Sequence, residues 1–97
     1  MTISEIKIRK TFSEGNLKAI VSITLDNCLA IHDIKIVQGS DRVFAAMPSR
    51  KDETGIYRDI IHPIDPETRD EVENAIISAY ERYVEIEKIM NAEEAND

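Results

Sequence analysis

Ninety-seven residues carry 19 acidic and 12 basic side chains, a formal charge of -7, with 42% hydrophobic residues, one cysteine and no tryptophan. A chain of this length forms one core and buries roughly 60–70% of the surface its unfolded form exposes, which excludes a wholly disordered chain and a two-domain protein. A lone Cys28 excludes disulfide scaffolds and cysteine-rich zinc modules, and no apolar run approaches the roughly 20 residues of a membrane span.

Ile6 and Ile8 alternate with Lys7, Arg9 and Lys10, the period of a half-buried strand with a basic outer face. Ser13 to Asn16 supply turn chemistry, and Leu17, Ala19, Val21, Ile23 and Leu25 then share one face of a second strand. Ile20 interrupts the polar face of Lys18, Ser22 and Thr24, so a helix is expected to cover that face in part. Asp26 and Asn27 make a short turn before a third strand, Cys28 to Val37, whose phase changes within it. Leu29 and Ile31 share one parity, and Ile34 and Ile36 share the other. A bulge near His32 and Asp33 would bring both pairs to the core.

Gly39 to Asp41 break the pattern, Val43 to Met47 is a short apolar strand, and Pro48 ends it because proline cannot donate to a ladder. A polar loop, Ser49 to Gly55, precedes β-type residues from Ile56 to Ile61. From Asp65 the period becomes helical. Asp65 can cap free backbone amides, Pro66 suits the first helical position, and Glu67 and Asp70 complement the positive end of the dipole. Val72, Ala75, Ile76, Ala79, Tyr80 and Tyr83 make the apolar stripe, which Ile86 and Met90 extend; a break near Tyr83 is left open.

These elements predict an α+β domain: an antiparallel sheet of about five short strands followed by a C-terminal helical segment packed on one face. The domain is expected to span residues 1–90, with a flexible acidic tail over 91–97. Residues 1–66 hold nine acids and nine bases, whereas residues 67–97 hold ten acids and three bases. The net charge therefore belongs to the last third. Taken whole it argues against nucleic acid, yet it leaves a neutral body on which cations can cluster.

Weighed for chemistry, His32 beside Asp33 and His62 before Pro63 lack a nucleophile motif, a two-histidine helical spacing or a phosphate loop. They read as structural, His32 satisfying polar groups at the bulge and His62 capping the strand before the helix. Cys28 reads as a small half-buried hydrophobe. The carboxylates Asp65, Glu67, Asp70, Glu71 and Glu73 read as a dipole-matched helix start, so no metal, no cofactor and no enzymatic activity on a small-molecule substrate are expected. The basic residues Lys7, Arg9, Lys10, Arg50, Lys51 and Arg58 form small clusters. They either hold phosphates together or solvate the sheet and pair with Asp52, Glu53 and Asp59.

Four blocks carry a family resemblance: Leu17 to Asp26, Ile31-His32-Asp33-Ile34-Lys35-Ile36-Val37, Phe44-Ala45-Ala46-Met47-Pro48-Ser49-Arg50-Lys51, and Tyr57-Arg58-Asp59-Ile60-Ile61-His62-Pro63-Ile64. In that order, between about Ile3 and Tyr83, they closely resemble the bacterial SpoVG family (stage V sporulation protein G). The resemblance implies a cytoplasmic homodimer, associated with septum formation in cell division and with sporulation, that binds DNA or RNA at specific sites as a regulator. In the family a basic pair after the MPS segment is implicated in DNA binding, and it maps to Arg50 and Lys51. Arg58, Lys7 and Arg9 join them as nucleic-acid-binding candidates. An alternative is a protein-interaction adaptor of the division machinery, using a sheet edge or the face of Tyr80 and Tyr83. No membrane partner is expected.

Overall fold

Alternation along the first half of the chain produces a meander. The computed structural model describes residues 1–95. Its elements are β1 (Ile3–Thr11), β2 (Leu17–Leu25), β3 (Leu29–Gln38), β4 (Val43–Ala46), β5 (Ser49–Lys51), β6 (Tyr57–Asp59) and α1 (Pro66–Ala95). β1 to β4 form an antiparallel sheet in sequence order, and β5 with β6 makes a separate two-stranded ribbon. The α+β class stands. Of the strands expected, the last does not join the main sheet, because residues 49–51, read as loop, turn back to pair with it. All six ribbon residues are exposed, so no burial pattern marks the pairing in the sequence.

β2 supplies the centre of the core. Ala19, Val21, Ile23 and Leu25 are buried with Ile31, Ile34 and Ile36 of β3 and Val72 and Ile76 of α1. The phase change in β3 is a bulge: Val21 pairs with Ile34 and Ile23 with Ile31, so Ser22 alone faces His32 and Asp33. Asp33 takes a positive φ of 62° there, in the left-handed region that Asp tolerates better than most residues. Leu29 keeps the parity of Ile31, opposite the buried Leu25, but is 54% exposed because it sits where β3 emerges from the turn. That turn has positive φ at Asp26 (50°) and Asn27 (55°), closed by Cys28 N–H donating to the Leu25 carbonyl at 3.0 Å. It is a type I′ hairpin, whose twist matches the strands. Cys28 is exposed at its end, not half-buried as expected.

Asp65 caps α1: Thr68 N–H donates to its Oδ2 at 2.8 Å and the Thr68 hydroxyl donates to Oδ1 at 2.9 Å. These bonds hold the Asp65 carboxyl below the usual carboxylate range, the backbone donor contributing most. The helix runs without a break past Tyr83. It crosses the sheet from the β4 side, where Arg42 pairs with Glu73, to the β1 side, where Tyr80 and Val84 approach Phe12. It lies on the Ala19–Leu25 face. The helix cover expected over Lys18, Ser22 and Thr24 is absent, since α1 has one wide apolar stripe and the odd-numbered face of β2 is the more apolar. Beyond the sheet, Tyr83, Ile86, Ile89 and Met90 are exposed. Of the flexible acidic tail expected over 91–97, residues 91–95 continue α1 as helix, and residues 96 and 97 lie outside the described residues.

Candidate nucleic-acid interface

The ribbon brings together three of the five candidate residues. Arg50 is the cross-strand partner of Arg58, and Lys51 is the partner of Tyr57, with its ammonium 6.0 Å from the ring centroid. Two arginines directly opposite each other repel, so the ribbon needs a counter-charge. Asp52 provides it, accepting from Arg58 Nε at 2.7 Å on Oδ2. Its Oδ1 accepts from Thr54 N–H at 2.8 Å, the Thr54 hydroxyl at 2.6 Å and Ile56 N–H at 3.0 Å. The Thr54 hydroxyl, Arg58 and these backbone donors, in that order for the two side chains, hold the Asp52 carboxyl down at about 2. Gly55 closes the turn with φ +87°, a conformation that strains any side chain.

Arg58 is therefore partly neutralised, while among the described residues neither Arg50 nor Lys51 is in an ion pair. Both are exposed and border a shallow hollow of about 630 Å³ with Asp52, Glu53 and Asp59. Three bases and three acids balance across residues 49–59. Position separates them, because Asp52 is consumed in bracing the turn.

Lys7 and Arg9 are not part of this cluster. They lie on β1, at the sheet edge opposite to β4, from which the ribbon leaves; three strand spacings, about 14 Å, intervene. Lys7 is 3.6 Å from Glu5. Arg9 Nε donates to Ser22 Oγ at 3.2 Å, and the same oxygen is 2.9 Å from His32 Nδ1. His32 thus meets polar groups at the bulge as expected, and Ser22, 6% exposed, is a participant that sequence pattern did not single out. His62 Nδ1 donates to the Pro63 carbonyl at 3.0 Å and so braces the chain entering α1; it does not cap a strand. No group of three potential metal ligands occurs among the described residues.

Two comparisons bear on this arrangement. The SpoVG family model matches residues 1–82, which include every strand, the ribbon and the buried part of α1. The chain belongs to the SpoVG family. Relatives carrying the name "Putative septation protein SpoVG" include one from Caldicellulosiruptor bescii, 51% identical over 84 residues that cover 87% of this chain and 96% of the relative. Another, from Clostridium botulinum, is 49% identical over 85 residues, covering 88% and 93% of the two chains. A third, from Clostridium perfringens, is 48% identical over 82 residues, covering 84% and 91%. The SpoVG match ends where α1 leaves the sheet and its apolar side chains become exposed. Among the described residues no helix is long and apolar enough to cross a membrane.

Proposed function

We propose that this protein is a homodimeric, non-enzymatic regulator that binds DNA or RNA through its β5–β6 ribbon and serves septum formation and sporulation. The observation that carries this is the ribbon itself. It projects two exposed, unpaired cations, Arg50 and Lys51, on a braced turn, an arrangement suited to phosphate groups. Family membership adds the link to septation, through the name its relatives carry. The non-enzymatic reading draws support from the Ser22–His32 pair, in which the hydroxyl is buried and already accepts from Arg9, unlike an activated nucleophile. Dimerisation draws support from Ile56, Tyr57, Ile60 and Ile64, four large apolar side chains left exposed around the ribbon.

The Arg50→Ala, Lys51→Ala double variant is expected to lose about 100-fold in affinity for oligonucleotides at low salt, measured by fluorescence anisotropy, with thermal stability unchanged. Undiminished binding would remove the ribbon from the reading. One observation favours a second reading, the division-machinery adaptor: Tyr83, Ile86, Ile89 and Met90 present an apolar stripe on the overhanging helix. Gel shift and pull-down on one preparation separate the two, since an adaptor captures a division protein while shifting no nucleic acid.

A further inference from the structure

The sheet face opposite α1 carries a second feature, built by two bulges. On β1 the register slips between Ile8 and Lys10, leaving Arg9 as the extra residue, and on β3 it slips at His32 and Asp33. The β3 slip lies opposite Ser22 of β2 and the β1 slip opposite its neighbours Val21 and Ile20; the register partner of Ser22 on β1 is Lys7. A bulge re-aims the side chain of its extra residue, and here both re-aimed side chains end on one buried hydroxyl. Such a convergence, with Asp33 held at positive φ, is more than the alternation of Ile31 and Ile34 requires.

Arg9 Nε–H fills one lone pair of Ser22 Oγ, and in one of the two neutral tautomers His32 Nδ1 accepts the hydroxyl proton. That tautomer puts the ring hydrogen on Nε2. The terminal guanidinium nitrogens of Arg9 and Nε2–H of His32 are then left as donors on an exposed face, with Lys7 beside them. The acids on or beside this face are Glu5, which pairs with Lys7, and Asp33, which borders a hollow of about 440 Å³ with Ile20, Lys35, Pro48 and Ile60. That hollow joins the sheet face to the base of the ribbon.

We infer that Ser22 orients Arg9 and His32 as a clamp for one phosphodiester group, so that a nucleic-acid strand held at the ribbon continues across the open sheet face. The inference rests on the proposed nucleic-acid function and extends its contact surface to the far edge of the sheet. Ser22 is a positioning residue; Arg9 and His32 make the contact.

Anisotropy titrations with labelled 20-nucleotide random DNA and RNA, across a salt series, test it on the wild type, Arg9→Gln, His32→Gln, Ser22→Ala and the ribbon double variant. Arg9→Gln is expected to weaken binding about tenfold and to reduce the slope of log affinity against log salt by about 0.7 for a single strand, and His32→Gln and Ser22→Ala to weaken it less. Arg9 and His32 are exposed, so their variants fold even if Ser22→Ala does not. If the ribbon variant loses binding while Arg9→Gln and His32→Gln retain it and its salt slope, the clamp is overturned and the ribbon function survives. If the wild type binds neither oligonucleotide, the ribbon function fails, and a titration of inorganic phosphate followed at the His32 ring resonances decides the clamp. A shift abolished in Arg9→Gln supports it, and the absence of a shift overturns it.

Discussion

Asp52 shows how one side chain can organise a segment that has no core. It accepts from three residues within six positions, and ionisation of the carboxylate strengthens every bond. Its folded value of about 2 lies below its ordinary 3.8, so the contribution is complete above pH 3.8 and fades as the pH falls toward 2. The Ile56 amide is therefore expected to stay protected from hydrogen exchange at pH 4 and to lose protection below pH 3. Asp52→Ala should show that loss already at neutral pH, with the main sheet intact, because the ribbon shares no ladder with it. Loss of sheet protection in the same variant would contradict this separation. At the same scale, Gly39 is closely enclosed: a Cβ there would lie 3.1 Å from both the Arg42 carbonyl and the Phe44 ring, which would have to give by a few tenths of an ångström to admit it.

At the scale of elements, α1 is held to the sheet by few residues. Val72 and Ile76 are buried, and beyond the half-buried Val84 the large apolar side chains Ile86, Ile89 and Met90 are exposed. Ile76→Ala is expected to destabilise the fold by about 2–5 kcal/mol in denaturant unfolding, through lost burial and the cavity left behind. Ile86→Ala should change the unfolding of the monomer by less than about 0.5 kcal/mol. A comparable cost at both positions would mean that the distal half of α1 is covered in solution. The ribbon and the helix start are linked by residues 60–65, in which Ile60 and Ile64 are 68% and 90% exposed. So much apolar surface on irregular chain is the local basis for expecting a partner.

For the whole molecule, charge and apolar surface are distributed unequally. Residues 66–91 of α1 carry seven acids and three bases on one face of the sheet, while Lys7, Arg9 and Lys35 belong to strands whose outer residues face the other way. In the proposed function this distribution would repel a phosphate backbone from the helix and direct it to the open face and ribbon. Ile64→Glu is expected to convert a dimer to a monomer in sedimentation at micromolar concentration, with secondary structure retained. A wild type already monomeric there would remove dimerisation from the proposed function.

Much of this was legible along the chain. The alternation of Ala19 to Leu25, the phase change from Ile31 to Ile34, and the cap at Asp65 each follow from local rules, since side-chain period and free helical amides act within a few residues. The blocks around His32, Met47 and His62 likewise identified the family. The sequence could not say that Ser49 to Lys51 pair with Tyr57 to Asp59, because that ribbon is held by backbone pairing and one carboxylate, and exposed strands leave no apolar period. Nor could it separate Lys7 and Arg9 from Arg50 and Lys51, or place Ser22 between Arg9 and His32. Those relations depend on strand order and on two bulges, which arise only when distant segments share a sheet. The formal charge of -7 was fixed by composition, and its concentration in the last third by the order of residues; that α1 carries this excess on the sheet face opposite Lys7, Arg9 and Lys35 was decided by the fold.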